Sequence, residues 1–266
     1  MRASNNENDL RFTVDGHIAT LCLNRPERRN AFTLDMLAPW VGHLHRAEAD
    51  PDIRVVVLTG AGDSFCSGVD LDVYTPGSSG DPWGDKRTLT TVHQVAFAME
   101  AMTKPVIAAI RGPAYGAGMD MALMCDLRIA AESARFCQAY INVGAVPGDG
   151  GCWYLPRLVG MQHALRLMWT GEVLDADAAL GIGLVSEVCP DDDLLDTAYR
   201  LARRIAERPP VAVQLIKRAA YEGARHDLRT ALDLISSHLA VVAATRDSAE
   251  ARAALRERRT GVYEGR

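Results

Sequence analysis

The sequence predicts an α/β protein with a largely parallel sheet. Short apolar runs rich in β-branched residues alternate with longer stretches in which apolar residues recur every three or four positions. Small residues, mostly glycines, follow two of the apolar runs. Alternating strands and helices are typical of parallel sheets, because parallel strands need a long crossover connection. The 266 residues, 48% of them hydrophobic, suffice for one well-buried domain with a small appended region.

The N-terminal part of the chain predicts a hairpin, a helix and a strand. Leu10–Val14 and His17–Leu23 flank Asp15-Gly16, a dipeptide that strongly favours a tight hairpin turn. Helical spacing of apolar residues extends from Leu34 to about Ala49. Val55–Leu58 then has the composition of a buried strand.

The remaining part predicts a loop, further strands and a helical end. Asp72 to Asp85 is rich in glycine, proline and serine and is typical of a mobile loop. Thr90–Thr103 has helical spacing, and Leu127–Ala130 and Val185–Val188 resemble strands. From Leu194 onward three helices are predicted, which span Leu195–Glu207, Val211–Tyr221 and Leu228–Ala244.

Composition and charge argue against several classes of function. A net charge of −5 does not suit a nucleic-acid or anionic-membrane surface. No apolar run reaches the roughly 18 residues of a spanning helix, and the polar stretch Met1 to Leu10 is unlike a signal peptide. The six cysteines are scattered through apolar runs, without metal-ligand spacing. We therefore expect a cytoplasmic protein with reduced thiols, no metal, and no nucleic-acid or membrane partner.

Two strand-ending turns are the strongest functional signal. The strand Val106–Ile110 is followed by Arg111 to Gly118 and by an apolar helix start that contains Asp120. The strand that ends at Gly60 is followed by a second small-residue turn, which reaches Leu71. If the two turns meet, they offer two backbone N–H donors to one oxygen, as an oxyanion hole does. Each turn could instead be a tight packing device.

The order of these motifs resembles the crotonase superfamily, also called the enoyl-CoA hydratase/isomerase family. The matching segments are Leu23 to Pro26 with Asn30-Ala31, Leu58 to Gly60 with Phe65 to Leu71, Thr103 to Ala109, Gly116 to Asp120, Met124 to Asp126, Val146 to Gly151, Leu155 to Arg157, Gly183 to Val185, and Arg258-Arg259 to Arg266. The resemblance implies a β-superhelix of stacked strand–helix units. It also implies a CoA-thioester-binding core over 1–195 and a helical region over 196–266 for trimerisation, which contributes to the CoA site. The expected assembly is a homotrimer or a dimer of trimers.

By this resemblance, the backbone N–H groups of Val69 and Ala117 form the oxyanion hole for a thioester carbonyl. Gly116 and Gly118 would let the backbone approach the ligand closely, because they have no Cβ. The resemblance implies that CoA is recognised by residues of the first motifs and of the C-terminal end, the latter from the same or a neighbouring subunit, namely Arg25, Arg28, Ser67, Gly68, Asp70, Leu71, Arg258 and Arg259. Arginines of this kind are also common as simple solvated side chains. Tyr74 and Trp83 would suit a bulky or aromatic acyl group.

Three residues are candidates for proton transfer. Asp120 matches the first of the two catalytic glutamates of typical hydratases, and Tyr140 stands at the position of the second. A phenol with a pKa near about 10 can donate a proton but is a poor base at neutral pH, so the two-glutamate mechanism does not transfer unchanged. Asp149 is a possible replacement, because some isomerase and dehalogenase relatives place an Asp one residue earlier, at the position of Gly148. Asp149 could also serve only local hydrogen bonds in its turn.

The expected reaction is hydration of a 2-enoyl-CoA, or its reverse, through a thioester enolate. CoA would enter as part of the substrate, and no permanently bound cofactor is expected. A one-base double-bond isomerase is the nearest alternative, followed by an acyl-CoA hydrolase or a carbon–carbon-cleaving enzyme. A non-catalytic acyl-CoA-binding protein is an alternative of another class.

Overall fold

The computed structural model describes residues 6–72 and 80–266. The nine strands are β1 Leu10–Asp15, β2 Ile18–Leu23, β3 Val55–Gly60, β4 Val106–Ile110, β5 Pro113–Tyr115, β6 Leu127–Ala131, β7 Arg135–Cys137, β8 Leu174–Asp175 and β9 Glu187–Cys189, all within the described ranges. The α-helices of the same ranges are α1 Asn6–Asp9, α2 Leu37–Ala49, α3 Pro82–Ala101, α4 Ala117–Leu123, α5 Gly151–Thr170, α6 Ala176–Gly181, α7 Leu194–Ala206, α8 Pro210–Gly223, α9 Leu228–Ala243 and α10 Arg246–Glu257.

The main sheet has the strand order β1-β2-β3-β4-β6-β9, and β5, β7 and β8 form a second, smaller sheet. β1 and β2 pair antiparallel, whereas β2, β3, β4, β6 and β9 pair in parallel. Alternate residues of β3 and β4 pack on opposite faces, so that Val57 and Ile107 lie in the cluster formed with α7 while Leu58 and Ala108 lie in the larger core. Burial of both faces explains why these strands are continuous apolar runs. The predicted α/β class is confirmed.

Most of the predicted elements lie where the sequence places them. The hairpin is present, with Asp15 paired with Ile18 and Gly16 at a positive φ of 54° in the turn. The helix predicted from Leu34 begins as a 3₁₀ turn and continues as α2 to Ala49. The C-terminal helices are also present as α7, α8 and α9.

Two element boundaries differ from the prediction, and helix α5 is an addition to it. Helix α3 begins at Pro82, inside the predicted loop, because the Asp81 carboxylate caps the Trp83 N–H and proline is favourable at the first helical position. The part of that loop at residues 73–79 lies outside the described residues. The last strand spans Glu187–Cys189 rather than Val185–Val188. Helix α5 was not predicted; Pro156 lies within it, and Gly160, with a φ of 78°, interrupts its helical geometry.

Short backbone bonds hold the two glycine turns side by side. Tyr115 N–H donates to the Cys66 carbonyl at 2.9 Å, and Cys66 N–H donates to the Pro113 carbonyl at 3.0 Å. A Cβ at Gly118 would lie 2.1 Å from the Cys66 oxygen, which leaves room only for glycine. Helix α4 is therefore pressed against the turn that follows β3. Among the described residues, no helix combines the length and hydropathy needed to span a bilayer.

Candidate active site

The two predicted donor turns are neighbours in space. A Cβ built on Gly68 would lie 3.5 Å from the Ala117 nitrogen, so the residue before Val69 borders the start of α4. Neither Val69 N–H nor Ala117 N–H donates to a backbone acceptor in the described part of the chain. Ala117 is the first residue of α4, where helical N–H groups lack an intrahelical partner. Two unused donors therefore lie close together, as an oxyanion hole requires.

Gly116 shapes the entry into α4. Its φ of 52° and ψ of −122° lie in a region that residues with a Cβ avoid. Its N–H donates to the Cys137 carbonyl at 2.8 Å, which ties α4 to the small sheet. A Cβ at this position would lie 3.9 Å from the Tyr140 ring. Tyr140 is thus beside the residue that precedes the Ala117 donor.

Asp120 is completely buried and fully engaged. It is 0% exposed, and its Oδ1 accepts from Gln138 Nε2 at 2.8 Å. Its Oδ2 lies 2.9 Å from Tyr140 OH and accepts from Gly151 N–H at 3.0 Å. Burial raises the pKa of Asp120 to about 7; the hydrogen bond from Gln138 opposes this shift and the charge of Asp149 adds to it. The carboxyl group therefore holds a proton more tightly than an exposed aspartate does.

The Tyr140 hydroxyl connects Asp120 to Asp149. It lies 2.9 Å from Asp120 Oδ2 and 2.7 Å from Asp149 Oδ2. A phenol has one proton to donate, so its second short contact requires a proton on one of the two carboxyl groups. Burial, followed by the two neighbouring carboxylates, raises the pKa of Tyr140 well above its usual value. The three side chains, called the Asp–Tyr–Asp chain below, therefore hold a proton that the two carboxyl groups share.

Asp149 is the member of this chain that borders a described cavity. It is 5% exposed and borders a cavity of about 500 Å³ together with His93, Phe97 and Trp153. Its Oδ1 is buried without a hydrogen-bond partner among the described residues. Burial raises the pKa of this carboxyl group, while the hydrogen bond from Tyr140 opposes the rise. An unpartnered buried carboxyl oxygen leaves one acceptor of this chain unused by the described part of the protein.

Sequence reasoning missed the supports of this chain. Gln138 orients Asp120, and its own Oε1 is buried without a partner among the described residues. Gly151 must be glycine, because a Cβ there would lie 2.4 Å from Asp120 Oδ1. His93 Nε2 lies 2.7 Å from the Gly148 carbonyl and holds the turn that carries Asp149. The adjacent glycines at 150 and 151 are the sequence signal that points to a close approach at this position.

The CoA-binding candidates near the N-terminus form a second cluster. Arg25 and Asp70 make an ion pair at 2.9 Å, and Arg28 pairs with Asp72 at 2.9 Å. Ser67 Oγ donates to the Arg28 carbonyl at 3.3 Å, and the exposed Leu71 follows in the same turn. Asp70 is thus used to hold Arg25, and this cluster adjoins the Val69 donor.

The remaining candidates lie elsewhere. Arg258 ends α10 in a left-handed conformation, and Arg259 binds Glu250 and Glu257, so the described contacts of Arg259 tie it to the C-terminal segment. Trp83 is exposed at the start of α3, with Lys86 Nζ 5.5 Å from its ring centre. Tyr74 lies outside the described residues. Within the described residues no group of His, Cys, Asp and Glu has the arrangement of a metal site.

Comparisons with known proteins agree with this geometry. A family model described as enoyl-CoA hydratase/isomerase matches residues 13–266. The chain is 37% identical over 248 residues to a crotonyl-CoA hydratase of Syntrophomonas wolfei, with 92% of this chain and 94% of that protein covered. It is 36% identical over 258 residues to a 1,2-epoxyphenylacetyl-CoA isomerase of Escherichia coli, with 95% and 97% covered.

A solved structure gives the same result for the fold. The crystal structure of an enoyl-CoA hydratase from Bacillus anthracis matches with a TM-score of 0.92 and 34% identity, covering 97% of this chain and all of that one. The superhelical fold expected from the motifs is therefore confirmed. With its glycine turns, buried acids and relatives in agreement, this chain belongs to the enoyl-CoA hydratase/isomerase family, the crotonase superfamily.

Proposed function

We propose that this enzyme adds water to a 2-enoyl-CoA and forms a 3-hydroxyacyl-CoA. The observation that carries the proposal is the Asp–Tyr–Asp chain, which lies beside two unused backbone donors and ends at a cavity. Relatives named crotonyl-CoA hydratase and short-chain-enoyl-CoA hydratase, each 37% identical, support the same reaction.

The thioester oxygen binds between Val69 N–H and Ala117 N–H in this proposal. When water adds to the β-carbon, the electrons of the double bond move onto that oxygen and form an enolate. Fixed donors in a dry site stabilise such a charge more than water does; loss of one such donor typically costs about 3 kcal/mol of transition-state stabilisation. The donors need no rearrangement, because the turns that carry them are already bonded to each other.

The Asp–Tyr–Asp chain supplies the two proton transfers. Asp149 Oδ1 takes a proton from the attacking water as its oxygen bonds to the β-carbon. Tyr140, which lies beside the Ala117 turn, gives its proton to the α-carbon, and Asp120 returns a proton to the phenol. The proton gained by Asp149 then passes back through Tyr140 to Asp120, over contacts of 2.7 and 2.9 Å. Asp120 touches no substrate and is a positioning and proton-holding residue.

The decisive experiment uses crotonyl-CoA in ¹⁸O-labelled water. We expect a 3-hydroxybutyryl-CoA that carries one ¹⁸O at the hydroxyl group, as seen by mass spectrometry. Val262→Ala is the matched control. It shortens an exposed side chain outside the donor turns and the Asp–Tyr–Asp chain, so it should form the product at the wild-type rate. Absence of labelled product from several 2-enoyl-CoA chains, in protein that binds CoA, would contradict hydration.

A one-base isomerase is the second candidate, and one observation favours it. Of the two buried carboxyl groups of the Asp–Tyr–Asp chain, only Asp149 borders the cavity. A single carboxyl group can carry a proton from one carbon to another, whereas hydration needs a donor and an acceptor together. Conversion of 3-hexenoyl-CoA to 2-hexenoyl-CoA without ¹⁸O uptake would identify this reaction.

The CoA-binding residues and the oligomeric state are part of the same proposal. The CoA moiety would lie along the cluster formed by Arg25, Arg28, Ser67, Gly68, Asp70 and Leu71, with Arg258 and Arg259 contributed by the region over 196–266. We propose a homotrimer or dimer of trimers, built through that region on the core over 1–195. CoA enters as substrate, so the mechanism requires no resident cofactor. Six free cysteines suit the cytoplasm.

A further inference from the structure

Two cavities lie next to each other beyond Asp149. The first is the cavity of about 500 Å³ that Asp149 borders, and the second has a volume of about 280 Å³. Both are bordered by the same four residues, which are Glu100, Trp153, Tyr154 and Arg225. These four residues therefore form the partition between the two cavities.

An ion pair closes this partition. Arg225 Nη2 lies 2.7 Å from Glu100 Oε1 and so joins α3 to the segment that follows α8. The Arg225 guanidinium also lies 5.5 Å from the centre of the Trp153 ring, which Arg157 approaches to 4.0 Å. The side chains of Arg225 and Glu100 are 36% and 51% exposed. Ion pairs this exposed contribute little to stability, so their removal leaves the fold intact.

The second cavity has an apolar stretch, and the charged side chains that also line it are paired or, like Arg218, exposed to solvent. Three thioethers line it, those of Met99, Met102 and Met124, and methionine adapts its shape to flexible ligands. Asp126 also lines it but is satisfied by Lys217 Nζ at 2.8 Å and by Tyr221 OH at 2.9 Å. An alkyl chain could lie along the methionines while the charged groups stay paired or solvated.

We propose that the Arg225–Glu100 ion pair is the end wall of the acyl pocket and limits the length of the acyl chain. Short acyl groups fill the cavity beside Asp149 and stop at this wall. Without the Arg225 side chain the two cavities join, and longer straight acyl chains extend to the methionines. This inference rests on the proposed function, because it places the acyl group beside Asp149.

Binding and turnover are measured separately to test it. Saturated butyryl-, octanoyl-, dodecanoyl- and palmitoyl-CoA serve as probes that cannot be hydrated, and the matching 2-enoyl-CoA series reports kcat/KM. Each methylene removed from water is worth about a fourfold gain in binding. We expect wild-type affinity to stop rising with chain length, and Arg225→Ala to bind dodecanoyl-CoA at least ten times more tightly than wild type. Butyryl-CoA affinity should not change.

Two further variants separate the wall from other effects. Arg157→Ala removes the other cation on Trp153 and leaves the ion pair, so it should keep the wild-type chain-length profile. Arg225→Lys retains a cation opposite Glu100 and should restore most of the short-chain preference. Thermal unfolding of each variant establishes that it is folded.

The outcomes distinguish this inference from the proposed function. Two results would contradict the inference that the Arg225–Glu100 pair limits chain length. One is a wild-type affinity that keeps rising up to palmitoyl-CoA, and the other is an Arg225→Ala chain-length profile identical to that of Arg157→Ala. If Arg225→Ala binds dodecanoyl-CoA more tightly but no hydration is seen, the proposed hydratase activity is contradicted and the inference about chain length is supported. If crotonyl-CoA is hydrated but Arg225→Ala shows no tighter binding of long chains, the hydratase activity is supported and the inference about chain length is contradicted.

Discussion

At the scale of single residues, the environment of each acid determines its role. Asp120 and Asp149 have the same side chain, but Asp120 is fully buried and makes three hydrogen bonds, whereas Asp149 borders the cavity and has one buried oxygen without a partner among the described residues. Tyr140 lies between them and bonds to both. A phenol in place of a second cavity-facing acid is compatible with proton transfer, because it can exchange protons with both neighbours.

Loss of the cavity-facing carboxylate should be more harmful than loss of the phenol. We expect Asp149→Asn to lower kcat by about 10² to 10⁴-fold, the usual contribution of a general acid or base. Tyr140→Phe should have a smaller effect, because a water molecule can take the position of the hydroxyl. Steady-state kinetics with crotonyl-CoA measure both, with Asn142→Asp, in the same 3₁₀ segment as Tyr140, as a control near wild type. Equal activity of Asp149→Asn and wild type would remove Asp149 from the mechanism.

The raised pKa of Asp120 makes stability depend on pH. Because its pKa is about 7 in the folded protein and near the ordinary 3.8 when unfolded, the folded state binds the proton more tightly. Its contribution is present below about pH 4 and is lost as the pH rises towards about 7 and beyond. We expect the free energy of unfolding of Asp120→Asn, measured with urea, to fall less between pH 5 and pH 8 than that of wild type.

A matched exposed carboxylate provides the control for this measurement. Asp177→Asn removes an exposed acid in the first turn of α6 and should leave the pH dependence of stability as in wild type. A pH slope for Asp120→Asn as steep as that of wild type would mean that the Asp120 carboxyl group is already ionised at low pH.

At the scale of elements, a seven-residue helix controls the site. All residues of α4, from Ala117 to Leu123, are buried, so the helix is held by packing on every side. Gly118 contacts the turn after β3, while Asp120 contacts Gly151 at the start of α5. One short helix thus fixes the Ala117 donor and the Asp–Tyr–Asp chain relative to each other.

A proline at the start of α4 should remove one donor and keep the helix. Proline is tolerated at the first helical position, since its missing N–H has no intrahelical partner there. We expect Ala117→Pro to lower kcat by about 10² to 10³-fold, with CoA binding and the melting temperature close to wild type. Ala117→Ser keeps the N–H and should retain most of the activity. Unchanged turnover in Ala117→Pro would exclude this N–H from the oxyanion hole.

At the scale of the whole molecule, one helix face lacks a partner among the described residues. Leu228, Leu232, Ile235 and Leu239 of α9 are exposed, and their spacing places them on one face. Apolar residues clustered in this way are typical of an interface between subunits. This face supports the proposed trimer.

Charges on this face should disrupt the assembly. We expect analytical ultracentrifugation to give three or six times the monomer mass for wild type, and monomers for the double variant Leu232→Lys, Leu239→Lys. Ser237→Lys lies on the opposite side of α9 and should not change the mass. Monomeric wild-type protein at micromolar concentration would contradict the trimer.

The sequence by itself determined the local structure and the family. The hairpin at Asp15-Gly16, the parallel strands β3 and β4, and the two glycine turns follow from short-range preferences of the residues that form them. The same segments carry the family motifs, so Val69 and Ala117 could be named in advance as candidate donors. Helix α5 was not predicted, because Pro156 and the non-helical Gly160 interrupt its helical pattern of apolar residues.

Only the tertiary structure decided which side chains meet. Asp120, Tyr140 and Asp149 come from a helix, a 3₁₀ turn and a loop, and nothing in their spacing says that one hydroxyl bridges two carboxyl groups. Arg225 reaches Glu100 across 125 positions of the chain. Local propensity acts over a few residues, whereas contacts of this kind depend on how whole elements pack. Burial then shifts the pKa of each acid, so the geometry and charge of the candidate site are properties of the folded chain.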